Sequence, residues 1–237
     1  MNTGRFISIL EEIAPPELAE EFDEGRIGLI VEGKEDIESV ACSLDATGHT
    51  VSQAILCDAD ALVVHHPPIW YPLARIAGKD AFILGRALSS GLNIYAMHTN
   101  FDHAEGGIND ALAEILGLSA TEKMPLGVVG DCSLTPAEIS RILGGGLRLY
   151  NCPEKIERLA VVGGSGFDTE LIECAYELGA DALLSAELKH NIMIDSPPEL
   201  GLMESTHYAL ESPGMKRLAG KMGWTYIPDE PRLSVIP

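Results

Sequence analysis

Two adjacent histidines are the residues of this chain best suited to metal chemistry. His65 and His66 follow the apolar residues 61–64 and are followed at once by Pro67 and Pro68. An uninterrupted apolar run is typical of a parallel strand covered on both faces, and proline ends its ladder of hydrogen bonds. Both imidazoles therefore lie at the carboxyl end of a predicted strand, where open α/β sheets place their ligands. This position favours metal ligation over a purely structural role.

A histidine followed four residues later by a carboxylate occurs twice in the chain. His98 and Asp102 come at the end of a second predicted strand, and His207 and Glu211 have the same spacing near the carboxyl end. A glycine and an amphipathic helix follow each pair. His207 and Glu211 are either metal ligands or an i, i+4 pair at a helix start. His98 is a candidate general acid–base catalyst, with a buried structural histidine as the alternative.

Longer repeats connect the two halves. The tetrapeptide Ala-Asp-Ala-Leu occurs at residues 59–62 and 180–183, in each case after a predicted strand and a helix that opens near a threonine, Thr47 or Thr169. The matching order of these elements favours an internal duplication. We therefore expect an α/β fold of two similar domains, with the metal site in the cleft between them. The expected domains are residues 1–128 and residues 129–237.

Five side chains form the expected metal centre. Three imidazoles and two carboxylates suffice for two divalent ions if one carboxylate bridges them, and zinc, iron or manganese would suit these donors. The absence of thiolates from the set argues against a structural zinc site. A metal ion with open coordination positions would lower the pKa of a bound water and polarise a substrate oxygen. The set comprises His65, His66, Asp102, His207 and Glu211.

Two further residues are candidates for substrate binding. Ser165 lies in the turn Gly163-Gly164-Ser165-Gly166, whose backbone amides can bind a phosphate, although the glycines favour a plain tight turn. Glu187 occupies, in the second half, the place of His65 or His66 in the first. It is expected to orient a ligand or to be a surface acid.

Composition narrows the class of protein. The 237 residues include 16 basic and 36 acidic side chains, and the formal charge of −20 argues against broad binding of nucleic acid or of an anionic membrane. The sequence has no apolar run of about 18 residues and opens with no signal peptide. The five cysteines form no C-x-x-C pair and are expected to be reduced. We therefore expect a soluble cytoplasmic protein.

Periodicity predicts alternating strands and helices. Residues 118–131 show weak periodicity and are expected to be a crossover connection. Predicted strands cover residues 26–31, 39–44, 59–64, 93–97, 159–162 and 180–184. Predicted helices cover residues 4–13, 16–22, 48–56, 81–90, 108–116, 136–143, 169–178 and 215–222.

Three motifs in order resemble the signatures of the Nif-three-like family, whose members are named GTP cyclohydrolase 1 type 2 homologues. The motifs are residues 64–67 (Val-His-His-Pro), residues 98–110 (His-Thr-Asn-Phe-Asp to Gly-Gly-Ile-Asn-Asp) and residues 206–214 (Thr-His-Tyr-Ala-Leu-Glu-Ser-Pro-Gly). Phe101 and Leu210 replace the residues usual in the family, and neither is a ligand. The resemblance implies a two-domain α/β fold, a ring-shaped homohexamer and a dinuclear metal centre in each subunit. The chain is too short for the extra domain that many bacterial relatives insert between the halves.

Carried over residue by residue, the resemblance implies specific roles. His66 and Asp102 would bind one metal, His65 and His207 the other, and Glu211 both. The expected activity is hydrolysis of a nucleotide-like small molecule, with GTP ring opening and formate release implied by the family name and phosphate-ester hydrolysis as another possibility. The alternative is a metal-binding hexameric scaffold or regulatory protein without turnover, since the family is also described as interacting with transcription machinery.

Overall fold

The computed structural model describes residues 1–233. Its strands are β1 Gly28–Val31, β2 Val40–Asp45, β3 Ala61–His66, β4 Asn93–Ala96, β5 Ser119–Lys123, β6 Val128–Leu134, β7 Arg148–Tyr150, β8 Ile156–Val161, β9 Ala182–Ser185, β10 Gly201–Glu204 and β11 Thr225–Tyr226. Its α-helices are α1 Thr3–Ile13, α2 Gly48–Leu56, α3 Gly78–Ser90, α4 Thr99–His103, α5 Ile108–Ile115, α6 Pro136–Leu143, α7 Thr169–Glu177, α8 His190–Asp195 and α9 His207–Met222.

The chain forms two compact α/β units, which confirms the predicted fold class of two similar α/β domains. Within the described residues, unit 1 comprises Met1–Glu105 together with residues 215–233, and unit 2 comprises Gly106–Gly214. This division differs from the expected boundary between residues 128 and 129. It differs because α5 packs on strands β6 and β8 of unit 2, whereas β11 extends the sheet of unit 1.

Unit 1 is built on a five-stranded sheet in the order β1-β4-β3-β2-β11. Strands β4, β3, β2 and β11 are parallel, and β1 is antiparallel to β4. The predicted strands 39–44 and 59–64 and the helix between them form the β-α-β unit β2-α2-β3. Residues 61–64 of β3 are completely buried, as a strand covered on both faces requires. The strand ends at His66, next to Pro67, as predicted.

Unit 2 is built on a six-stranded sheet in the order β5-β6-β8-β9-β10-β7, in which β8, β9 and β10 are parallel. The prediction of a crossover at residues 118–131 was wrong, because β5 and β6 form an antiparallel pair there. All five residues of β5 are exposed, so this strand has no alternation of apolar and polar residues that could reveal it.

Three helix predictions also need correction. Residues 16–22 form two short 3₁₀ turns, Pro16–Leu18 and Glu21–Asp23, because Pro15 and Pro16 remove backbone donors. Helix α3 begins at Gly78, three residues earlier than expected. Helix α9 begins at His207 and continues through Pro213, where the sequence predicted a start at Met215.

The repeated Ala-Asp-Ala-Leu tetrapeptide has the same structural role in both units. Asp60 Oδ2 accepts hydrogen bonds from the amides of Glu38 and Ser39, just before β2. Asp181 Oδ2 accepts them from the amides of Glu157 and Arg158, near the start of β8. In each unit this aspartate therefore connects the start of one parallel strand to the start of the next.

Two sequence expectations concern the whole chain. All five cysteines are free thiols, as expected. Within residues 1–233, no helix is both long enough and apolar enough to cross a bilayer.

Candidate metal centre

Three imidazoles converge within unit 1. One ring nitrogen from each of His65, His66 and His98 lies within 4.8 Å of the corresponding atoms of the other two. His65 and His66 end β3, and His98 follows β4 directly before α4, so the carboxyl ends of two neighbouring parallel strands bring the three rings together. Packing of the parallel strands therefore explains this cluster.

The two histidines of β3 are held by their Nδ1 atoms. His65 Nδ1 lies 2.8 Å from the carbonyl oxygen of Met97, and His66 Nδ1 lies 2.8 Å from Asp45 Oδ1. Asp45 ends β2 and is the register partner of His66 across the parallel pair. In metal sites this kind of outer contact fixes the tautomer and turns Nε2 towards the metal.

His98 is held by a buried carboxylate. Its Nδ1 lies 2.8 Å from Asp23 Oδ2, and the same oxygen accepts a hydrogen bond from the Thr99 amide. Burial raises the pKa of Asp23, but the hydrogen bonds from His98 and Thr99 and the His98 charge outweigh burial, so the pKa is lower than usual. Asp23 therefore stays ionised and fixes the His98 ring.

Asp102 is the carboxylate of the candidate site in unit 1. It lies in α4 with its amide bonded to the carbonyl oxygen of His98, one helical turn earlier, and its side chain is 8% exposed. Its Oδ1 lies 3.5 Å from Nε2 of the fully buried His65. The structure thus brings together the predicted unit 1 residues His65, His66, His98 and Asp102.

In unit 2, the predicted pair is joined by a third side chain. His207 Nε2 lies 2.9 Å from Oε2 of the buried Glu211, one turn along α9. His207 Nδ1 lies 2.9 Å from Glu187 Oε1. Glu187 follows β9 and has a φ of 65°, an uncommon conformation for a residue other than glycine. Its contact supports the expected role in orienting a ligand.

The glycine turn packs against this pair. A Cβ atom at Gly164, where φ is +69°, would lie 2.5 Å from Glu211 Oε1 and 3.4 Å from His207 Nε2. The Gly163 amide donates to Asn109 Oδ1 and the Gly166 amide donates to Ser185 Oγ, so the protein itself uses two of the donors proposed for phosphate. These contacts favour the tight-turn reading, and substrate binding by the exposed Ser165 stays a prediction.

The donor chemistry of the two histidine–carboxylate pairs suits a metal ion. A neutral imidazole carries one N–H. In His65 this N–H is on Nδ1, because the Met97 carbonyl can only accept, so the Nε2 lone pair faces Asp102. His207 lies between the carboxylates of Glu187 and Glu211, so its single N–H can donate to only one of them, and its other ring nitrogen faces a second acceptor. Two acceptors face each other stably only when a proton or a metal ion lies between them. Two ligands about 2.1 Å from one ion are roughly 3.0–3.4 Å apart, close to the observed separations of 3.5 and 2.9 Å.

Sequence reasoning missed Asp23 and Asp45. Asp45 had a detectable signal, because it directly follows the predicted strand 39–44 beside the His-His strand, and the ends of parallel strands converge. Asp23 had none, since it is one of several acidic residues in a segment without periodicity and lies 75 residues from His98 in the sequence.

Comparisons with known proteins agree with this fold. Relatives include proteins named GTP cyclohydrolase 1 type 2 homolog from Pyrococcus horikoshii, 30% identical over 93% of this chain and 92% of the relative, and from Pyrococcus abyssi, 32% identical over 92% of each. Among solved structures, reduced HcgD from Methanocaldococcus jannaschii superposes with a TM-score of 0.81 at 27% identity, covering 96% of this chain and 97% of HcgD.

The family model for Duf34/NIF3 (NGG1p interacting factor 3) matches residues 1–229. This match extends over both units and includes every candidate ligand. The chain therefore belongs to the Duf34/NIF3 family, as its three motifs predicted.

Proposed function

We propose that this protein is a divalent-metal-dependent hydrolase that acts on a nucleotide-like substrate. The observation that carries the proposal is that His65 and His207 each turn Nε2 towards a buried carboxylate while Nδ1 is already engaged. Zinc, iron and manganese all suit such imidazole and carboxylate donors.

We also propose that the ligand sets of the two units act together on two ions. The support is chemical, since each unit supplies imidazole and carboxylate donors, and the family resemblance implies the pairing. In that pairing His66 and Asp102 would hold one ion, His65 and His207 would hold the other, and Glu211 would contribute to both.

The metal ions and His98 have different roles in the proposed hydrolysis. When bound, such ions polarise a substrate oxygen and lower the pKa of water. His98 uses Nδ1 to contact Asp23, so Nε2 is the atom that takes a proton from the attacking water and returns it to the leaving group. The ionised Asp23 stabilises the imidazolium formed in this transfer.

The substrate proposal follows the names of the relatives. Proteins named GTP cyclohydrolase 1 type 2 homolog suggest GTP, with ring opening and release of formate. Phosphate-ester hydrolysis is the second reaction for the same donor set. Formate and inorganic phosphate, measured separately after incubation with GTP, tell the two reactions apart.

Metal content tests the proposal directly. Elemental mass spectrometry should find about two ions per chain in the wild type, and clearly fewer in Glu211→Ala. Turnover of GTP should fall with the metal. The matched control is Glu170→Ala, which removes an exposed acid of unit 2 and should keep both metal and turnover. A wild type that holds no metal even after reconstitution would refute the proposal.

A metal-binding scaffold or regulatory protein is the second candidate, and the family description as an interacting factor favours it. We place the protein in the cytoplasm as a homohexamer, on the basis of the composition and the resemblance. If chelation lowers the melting temperature but changes no turnover, and sedimentation shows a six-subunit mass, the scaffold function is supported.

A further inference from the structure

Unit 1 contains a cavity directly beside the metal ligand His66. Its volume is about 260 Å³, and its wall includes Asp45, Thr47, Trp70 and Lys79. Pockets for drug-sized ligands are typically about 300–1,000 Å³, so a cavity of this size holds a single ring system better than a complete nucleotide.

Trp70 gives the cavity a fixed aromatic wall. Its ring centroid lies 5.0 Å from that of His98 at an interplanar angle of 87°, and 6.1 Å from that of His66. The guanidinium carbon of Arg26 lies 6.0 Å from the Trp70 ring. A tryptophan held in this way is suited to stacking against a planar ring.

The polar groups of the cavity require a particular pattern of ligand atoms. Asp45 Oδ1 contacts His66, and the carboxylate is 35% exposed, so it can accept a further hydrogen bond from a ligand N–H. Lys79 is exposed, makes no ion pair with any residue in 1–233 and can only donate, so it requires an acceptor.

The cavity is poorly suited to a polyphosphate. Thr47 Oγ1 already accepts hydrogen bonds from the amides of His49 and Thr50, so these donors at the start of α2 are occupied. The Asp45 carboxylate offsets the Lys79 charge. The occupant is therefore an uncharged ring rather than an anion.

From this arrangement we propose that the cavity binds a planar nitrogen heterocycle whose edge presents an N–H beside a C=O. The ring stacks on Trp70, its N–H donates to Asp45 and its carbonyl accepts from Lys79. The inference rests on the proposed function, because it places the heterocyclic part of the substrate, rather than its phosphates, next to His66.

Nucleoside binding tests the inference without relying on turnover. The probes are inosine, which has N1–H and C6=O, and 1-methylinosine, which lacks the N–H. Both lack phosphate, so a phosphate–metal contact cannot contribute. Calorimetric titration of the metal-loaded protein should show inosine binding, and 1-methylinosine binding should be about tenfold weaker or more, as expected for loss of a hydrogen bond to a charged group.

Substitutions in the cavity wall test whether inosine binds in this cavity. Trp70→Leu should weaken inosine binding about tenfold, the loss typical of one base–aromatic contact, whereas Trp70→Phe should keep most of it. Lys79→Met should weaken it several-fold. Tyr71→Leu is the matched control, since Tyr71 is 74% exposed and lies outside the cavity wall, and should bind like the wild type. Metal content should be unchanged in all four variants.

Two results would overturn the inference: no inosine binding at millimolar concentration by metal-loaded wild type, or unchanged binding by Trp70→Leu. A different result would refute the hydrolase proposal alone: the protein would bind inosine with these variant effects but would hydrolyse no nucleotide.

Discussion

Four histidines of the candidate site share one arrangement at the level of single residues. Each uses Nδ1 to contact a backbone carbonyl or a carboxylate, namely Met97, Asp45, Asp23 or Glu187. Each ring is therefore oriented before any ligand binds, and Nε2 becomes its reactive atom. The sequence predicted the imidazoles, but of their four anchors only Glu187 was a candidate. The others are a backbone atom and two acids that only the fold brings near.

The anchor of His98 gives a prediction at this scale. Asp23→Asn should leave metal content unchanged and lower kcat by about 10- to 100-fold, because the amide orients the ring less well and stabilises imidazolium less. Glu24→Gln, which changes the neighbouring exposed acid, is the matched control and should keep wild-type kcat. Loss of metal in Asp23→Asn would instead make His98 a ligand.

The same variant should change stability in a pH-dependent way. Because the pKa of Asp23 is lowered by folding, the ionised carboxylate stabilises the folded state above its unfolded pKa of about 3.9, and this contribution is lost as pH falls through the folded pKa. Denaturation at pH 7 should therefore show Asp23→Asn to be less stable than the wild type by about 1.5–3 kcal/mol. The difference should shrink below about pH 4.

Strand ends and turns position the site at the level of elements. In unit 1 the parallel strands β2, β3 and β4 bring Asp45, His66 and His98 to one edge. In unit 2 the turn after β8 packs Gly164 against the first turn of α9. The glycine-rich turn was visible in the sequence as a possible phosphate cradle. Its contact with His207 and Glu211 was not, because the turn and the helix are more than forty residues apart.

Gly164→Ala tests the importance of this turn. The added Cβ would lie 2.5 Å from Glu211 Oε1 in a backbone conformation that alanine adopts poorly, so Glu211 must move. We expect metal content to fall clearly, as measured by elemental mass spectrometry, while circular dichroism still shows a folded protein. The matched control is Gly146→Ala, where the Cβ meets no atom within 4 Å, and it should keep its metal. If Gly164→Ala retains full metal content, the turn does not position the ligands.

At the scale of the whole molecule, two similar units provide different halves of the candidate ligand set. Unit 1 provides His65, His66 and Asp102, and unit 2 provides His207 and Glu211. The repeated aspartates Asp60 and Asp181 show that the two units share one framework. The two units share a framework but not their candidate ligands, since β3 ends in two histidines and the corresponding strand β9 ends in Ser185.

If the two ligand sets bind the ions jointly, as proposed, metal binding should couple the two units. In the wild type, removal of metal should lower hydrogen-exchange protection both in β3 and at the start of α9. In Glu211→Ala, β3 should lack this protection even with metal present, although the substitution is in unit 2. The lost stabilisation should be about 2.7 kcal/mol when metal is at roughly 100 times its Kd. If β3 of Glu211→Ala keeps metal-dependent protection, the units bind metal independently.

The sequence by itself determined the features that depend on local chemistry. Apolar runs and hydrophobic periodicity predicted most strands and helices, including α6, which begins after the capping box of Thr135 and Glu138. Residue type and spacing singled out His65, His66, Asp102, His207 and Glu211. These features are readable because hydrophobic periodicity and ligand chemistry are encoded by residues close together in the chain.

The tertiary structure decided which distant residues meet. It revealed the exposed strand β5, which carries no apolar pattern, and it moved the unit boundary to residue 106 by pairing strands with non-neighbouring segments. It also selected Asp23 and Asp45 from 36 acidic side chains as the anchors of His98 and His66. The physical reason is that a hydrogen bond depends on distance and angle in space, and strand pairing and burial set both for residues far apart in the chain.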